Sequence, residues 1–498
     1  MRTCTYLIVA LFAVACSKKS EPEQKSAPEP APKTVSTETA KKTPEVVTTA
    51  KVVSVTTKSP DAAAAFEQAR TMVFGSRGGE AVELLNKAIS LDAEFAFAHA
   101  FLGQVTPGTE GMVSLDKAVT LAAKLPEAER LTIEAMQTMR AGEHDKAVAT
   151  YQKVIALAPD DWHAMIALGT DANFTADHAA ALKYFEQAAK VKPDLAIAQN
   201  GVAYGNAGLR QWDPAIAAAK KQVELLPKEP NPADTLGEIQ LLAGKFEDSE
   251  KSFQQALTLE PKFNIAWQGV AFARAYRADW KGALEANAKQ KEGATSANDR
   301  VGTQMDAAWL TLASGKPADA IAQLDAIEKD ADAAKTPSFA FATLDRAYML
   351  ELTGKYPDAA KALADGLTHS DALAGAGKRN AQRMHAILTL RLAAMTGKAA
   401  PDADKLVALV DENATTPIAK SFASWAHGLA AWAKTGAKDA VAELAKCDRQ
   451  VPGCRLDLAA AQRKAGDTAG AQATDKAVLE TPVRDPITVY AVSQIPKK

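Results

Sequence analysis

Across 498 residues there are four cysteines, and aromatic side chains make up only 6% of the chain. Cysteine this sparse excludes a disulfide-built scaffold, and Cys4 and Cys16 lie at the very start of the chain. An excess of one charge is missing too. With 58 basic and 60 acidic residues there is no basic surplus for phosphate-driven contacts, so no nucleic-acid partner is expected. The histidines form no pair at helix-adjacent spacing and no HExxH occurs, so neither a metal nor another cofactor is expected. Gly-Lys pairs recur, but Phe246, Pro317, Tyr356 and Ala399 follow them where a phosphate loop needs Ser or Thr, and they read as turns. There is no GxSxG elbow, so no catalytic residue is assigned and the chain is not expected to be an enzyme.

The apolar run from Tyr6 to Ala15 is too short to span a bilayer and ends on a small residue, as signal peptides do at their cleavage site. Ala13-Val14-Ala15-Cys16 resembles a bacterial lipobox, which implies that residues 1–15 are removed and Cys16 is lipidated. An ordinary secretory signal with an incidental cysteine is the other reading. Ser17 in place of aspartate resembles the outer-membrane sorting rule, so the expected address is the bacterial cell envelope, at the outer membrane and facing the periplasm. The membrane is then met through the lipid anchor only. From Ser17 to Pro60 the chain is rich in Pro, Lys, Ser and Thr and has no aromatic residue, which predicts a disordered tether over 16–60 with a reach of about 35–40 Å. Val52-Val53-Ser54-Val55 is β-prone, which leaves open a short strand against a partner or plain exposed linker.

Pro159, Pro193, Pro227 and Pro261 recur every 34 residues, and each closes a block with the same internal grammar. Leu168-Gly169 is followed by Ala181, Phe185 and Ala188, and Leu236-Gly237 by Phe253 and Ala256. The spacing puts a ring between two small contacts on one helix face, opposite a glycine or alanine of the preceding helix. Proline then ends the second helix. This period resembles the tetratricopeptide repeat (TPR), which implies an all-α, right-handed superhelical solenoid of helical hairpins. Ala219 and Asn287 stand where the ring is expected, and Gln222 and Gln290 where the following small residue is, so those blocks should pack less tightly. The array is expected over 61–290, regular from 128, with a loop or break at 291–300, degenerate hairpins over 301–481 and a tail at 482–498 that could dock on the last hairpin. Cys447 and Cys454 flank Pro452-Gly453, and an oxidising compartment would favour a disulfide between them over two free thiols.

In TPR proteins the first helices line a concave groove that receives a peptide or partner helix. The resemblance places there Met136 and Arg140, then His163, Thr170 and Phe174, Asn200 and Tyr204, Asp234 and Glu238, Gln268, Phe272 and Tyr276, with Trp309 farther on. For Tyr204, Phe272 and Tyr276 a core contact between repeats is the competing reading. The function expected is a membrane-tethered, non-catalytic scaffold or assembly factor with protein or peptide partners. The alternative is an envelope hydrolase or ligand receptor with a site in the irregular C-terminal half.

Overall fold

The structure, a computed structural model, describes residues 51–495 except 76, 401 and 413. The signal peptide, Cys16, Ser17 and the tether up to residue 50 lie outside the described residues, as do 496–498. Residues 51–59 form an extended strap. Helical hairpins follow in chain order: α1 (Pro60–Phe74) and α2 (Gly78–Leu91), α3 (Ala96–Val105) and α4 (Gly108–Ala122), α5 (Glu127–Arg140) and α6 (His144–Leu157), α7 (Trp162–Phe174) and α8 (His178–Val191), α9 (Ala196–Gly208) and α10 (Trp212–Leu225). Next come α11 (Pro230–Leu242) and α12 (Phe246–Leu259), α13 (Ile265–Tyr276) and α14 (Trp280–Glu292), α15 (Ala297–Ala313) and α16 (Pro317–Glu328), α17 (Pro337–Leu352) and α18 (Tyr356–Asp371). The last part holds α19 (Gly375–Thr396), α20 (Ala403–Asp411), α21 (Pro417–Thr435), α22 (Ala437–Leu444), α23 (Pro452–Lys464), α24 (Thr468–Leu479) and α25 (Pro486–Ser493).

The 34-residue period is written into the backbone. Gly108, Gly142, Ala176, Arg210, Gly244 and Ala278 stand 34 apart, and all have positive φ, between 60° and 83°. From Gly142 onward each lies in the left-handed turn that reverses the chain between the two helices of a hairpin. Glycine adopts that conformation freely, whereas the two alanines and the arginine carry a Cβ that disfavours it. Asp177 and Asp279 begin the following helices by accepting the amide hydrogens of Ala180 and Gly282.

The second helices bury little beyond the predicted face: α8 buries Ala181, Phe185 and Ala188. The first helices bury far more, with α7 buried continuously from Trp162 to Gly169. Successive first helices touch one another, α7 with α9 and α9 with α11, and among the described residues no comparable contact joins the second helices. The array therefore curves with the first helices on its inner side. It coils far enough to bring Arg77 at the start of α2 within 3.7 Å of Glu229 before α11.

The ring of Phe185 is held between two glycines. A Cβ on Gly169 of its own hairpin would come 3.0 Å from the ring, and one on Gly201 of the next hairpin 2.2 Å. Phe253 repeats the arrangement with Gly237 (2.8 Å) and Gly269 (2.5 Å). At the intervening block the ring is absent. Asn200 there donates to Gln222 Oε1 (3.3 Å) and Thr235 Oγ1 (3.1 Å), so a polar bridge occupies the seam. Residues from Ala203 to Ile239 accordingly form a small apolar group of their own, between the larger cores on either side.

Two boundaries differ from expectation. Where a loop or break was expected over 291–300 there is a short loop: α14 continues to Glu292, Ser296 caps α15 through the Asp299 amide, and 293–296 connect them. The tether does not run free to residue 60, because 51–59 are bound to the array.

Candidate functional site: the inner surface and its two occupants

The strap is held by three carboxylates, one at the start of a first helix, one on the face of a first helix and one after a second helix. Asp161 caps α7 through the Ala164 amide (2.8 Å) and accepts from the Val53 amide (3.1 Å), while the Lys51 carbonyl accepts from the Asp160 amide (2.7 Å). Glu129 on α5 accepts from the Thr56 amide (2.9 Å), the Thr56 hydroxyl (2.7 Å) and the Ser54 hydroxyl (3.2 Å). Asp92 after α2 accepts from the Thr57 hydroxyl (2.6 Å) and the Lys58 amide (2.9 Å). The alternation of an extended chain turns Val53 and Val55 the other way, into a small cavity lined also by Phe66, Arg70, Phe97, Phe101, Thr132, Asp161 and His163. Burial pushes the Glu129 carboxyl up, against its three hydrogen bonds. Burial among Phe74, Phe101, Tyr151 and Trp162 pushes His163 down to about 4, which leaves its imidazole neutral at pH 7.

The second occupant is the C-terminal segment. Arg210 donates to the Glu480 carbonyl (2.7 Å), and the Tyr276 hydroxyl donates to the Val483 carbonyl (2.6 Å) while accepting from the Val483 amide (3.0 Å). Arg484 then enters a pocket between α11 and α13. Its Nη1 lies 3.3 Å from Asp234 Oδ2 and 4.0 Å from Glu238 Oε2, and its Nη2 donates to the Ile265 carbonyl. The guanidinium carbon sits 4.9 Å from the centre of the Phe253 ring. Tyr204 donates to Glu238 Oε2 (3.0 Å). Burial raises both carboxyls, Glu238 to about 7, although Arg484 pulls each the other way. Beyond the pocket α25 packs on α13, α15, α23 and α24, with Tyr490 5.9 Å from Trp309 between ring centres.

These hairpins are TPR-like. The 34-residue spacing of left-handed turns, the ring held by glycine and the inner row of first helices together make them so. No protein-family model and no curated protein matches the chain. Among solved structures it is similar to PilW, a widely conserved type IV pilus biogenesis factor, at 19% identity over 41% of this chain and 93% of that one, TM-score 0.36. It is similar to MamA from Desulfovibrio magneticus RS-1 at 19% identity over 34% of this chain and 96% of that one, TM-score 0.32. The TPR protein YrrB, titled as having an unusual peptide-binding site, has 18% identity over 36% of this chain and 91% of that one, TM-score 0.30.

On this TPR-like array the residues expected to line an open groove are largely covered. Met136, His163, Asn200, Asp234, Glu238, Gln268, Phe272 and Trp309 are buried. Phe272 belongs to the core between hairpins. Gln268 donates to Asp306 (2.8 Å) and Trp309 to Asp345 (3.0 Å). Arg140 is turned to the C-terminal end of α3, where it donates to the carbonyls of Gln104 (3.3 Å) and Thr106 (2.9 Å). Tyr204 and Tyr276 are half-buried and bonded as described, and Thr170 is half-buried. Phe174 alone of the set is exposed, stacked on His144 at 5.9 Å. An empty groove was expected because the sequence does not show which distant segment returns to fill it.

In the C-terminal half Arg391 of α19 joins Glu351 of α17 (2.9 Å) and Asp457 of α23 (2.9 and 3.1 Å), and Trp425 of α21 donates to Asp457 (2.9 Å). Burial pushes Glu351 up to about 8 despite Arg391. All three charged groups are buried, and this cluster clamps hairpins of the C-terminal half together. Cys447 and Cys454 are disulfide-linked, S–S 2.00 Å and Cα–Cα 6.4 Å, between α22 and the first turn of α23.

Proposed function

We propose that the chain is a lipid-tethered, non-catalytic scaffold or assembly factor of the bacterial cell envelope, which holds protein partners as extended segments along its inner surface. The observation that carries this reading is the strap. An extended stretch is held there through its backbone amides and carbonyl and its hydroxyls, with two valines turned inward. A partner segment of like character would meet the same groups. Among the described residues no helix is long and apolar enough to cross a membrane. The attachment proposed is the lipid on Cys16, at the outer membrane and facing the periplasm, an address supported by the apolar run before Cys16 and by Ser17 after it.

A photo-crosslinking side chain placed in turn at Thr170, Phe174 and, on a second helix, Lys183 tests the reading in isolated membranes. The same protein adduct is expected from the first two positions and not from Lys183, and Cys16→Ser should release the chain from the membrane fraction. Adducts only from Lys183, or membrane retention of the Cys16→Ser chain after a high-salt wash, would overturn it.

A further inference from the structure

The strap lies against α5 and α7, and Arg484 enters its pocket between α11 and α13. We propose that this pocket is an arginine-reading subsite of the inner surface, occupied in cis by the C-terminal segment and opened to the arginine of a partner's extended segment when α25 undocks. The inference rests on the scaffold reading and adds to it a recognition chemistry and a means of regulation.

The pocket is built from both sides of one seam. Asp234 and Glu238 are one helical turn apart on α11, so both carboxylates face the same point. The Ile265 carbonyl, beside the start of α13, receives the second arm of the guanidinium. The Phe253 ring, wedged between Gly237 and Gly269, supplies a flat face under it. Planar, forked and stacked recognition of this kind suits arginine, whereas a lysine ammonium could not meet the carboxylates and the carbonyl while covering the ring. The residue ahead of the arginine is read by its backbone, since the Tyr276 hydroxyl takes both the amide and the carbonyl of Val483. That contact is to backbone alone, so side-chain selection falls on the arginine.

The present occupant is suited to leave. Pro482 and the Pro486 that opens α25 restrict the connection, which bends at Arg484 with the Asp485 amide donating to the Val483 carbonyl (2.8 Å), so the segment loses little conformational freedom when it docks. Helix α25 has eight residues, too short to hold its helix without a partner surface. Departure of α25 takes away the only cation set against Asp234 and Glu238 by the described contacts. Two buried carboxylates without a counter-charge favour capture of another guanidinium, which gives the opened pocket its selectivity. While docked, the segment competes from an effective concentration in the millimolar range, and this holds the site closed to weak or non-arginine ligands.

The test uses the full chain and a fluorescent peptide of the sequence 481–495, followed by anisotropy. The Arg484→Ala chain should bind this peptide at least ~10-fold more tightly than the unaltered chain does, because its own segment competes poorly. Peptides with lysine or alanine in place of the arginine should lose at least ~10-fold. An Arg484→Ala chain with unchanged helicity that fails to bind, or that binds all three peptides alike, overturns the proposal. Hydrogen exchange on the unaltered chain decides the matter if Arg484→Ala does not fold. Amides of 487–493 should exchange through an opening that leaves α11 and α13 protected, and exchange only with loss of α11 also overturns it. Crosslinks from Thr170 and Phe174 without arginine-dependent peptide binding retire the pocket and leave the scaffold reading standing.

Discussion

Exchanging Gly201 for alanine should damage the protein when Phe185 is present and help it when Phe185 is gone. In the unaltered chain a Cβ at residue 201 would sit 2.2 Å from the ring, and the ring cannot retreat because Gly169 already fits it from the other side, at 3.0 Å from a notional Cβ. Overpacking of this sort costs about 1–3 kcal/mol, against which alanine regains about 1 kcal/mol of helix propensity in α9. Phe185→Ala alone opens a cavity at a fully buried site and should cost about 3–5 kcal/mol. With the ring gone, the methyl at 201 enters the vacated space and adds roughly 0.8 kcal/mol of burial to the same helix gain. The double variant should therefore be more stable than Phe185→Ala by about 1.5–2 kcal/mol, and the coupling in the cycle should reach about 1.5–4 kcal/mol. A repeat array need not unfold in one step, so the cycle is best read from native-state exchange of amides in α8 and α9. If Gly201→Ala changes stability by the same amount in both backgrounds, within about 0.5 kcal/mol, the ring is not held as described.

Ala176→Gly and Ala278→Gly should each raise stability by roughly 0.5–1 kcal/mol, since relief of the left-handed turn outweighs the added freedom of glycine in the unfolded chain; a denaturant midpoint measures it. Glu238 and Glu351 titrate near 7 and 8 when folded, above an unfolded carboxyl near 4.3, so the folded chain binds more protons between those limits. Their contribution is fully present below about pH 4.3 and lost as pH rises through 7 and 8. The melting temperature should fall between pH 6.5 and pH 8.5, above the range in which the buried neutral His163 adds stability as pH rises, and less steeply in Glu351→Gln. A non-reduced digest should yield one linked peptide pair containing Cys447 and Cys454, and reduction should cost about 2–3 kcal/mol locally, the figure for closing so short a loop.

The repeats were legible because their cause is local and recurs. A turn that needs a left-handed residue, a face that needs Ala-Phe-Ala and a proline that ends the helix all lie within one block, and four copies make the pattern plain. The weaker packing expected at Ala219 corresponds to a real thinning of the apolar core, for a block without its ring has too little to bury. What fills the inner surface was not legible. Asp161 reads as a solvated cap from its neighbours, yet it is buried and holds Val53, 108 positions earlier. Asp234 meets Arg484 across 250 positions. Such pairings have no period, and a lone carboxylate carries no mark of its partner. The valine alternation at 52–55 was the one visible hint that the strap was made to lie against something.

The strap also decides how the molecule yields under load. Lys51, the first described residue, already lies against the body beside Asp160, ahead of the first helix. Tension applied through the preceding residues meets the Asp161 contact first, then Glu129, then Asp92, and only afterwards α1. Bonds loaded in sequence part at low force, as a zipper does, whereas bonds loaded together resist as a block. Nine residues freed in this way form a leash of at most about 30 Å that can swing into line with the force before any helix feels the pull. A body hung from a membrane by this end would carry a built-in shock absorber, and each stretch of it would uncover the surface the strap had closed.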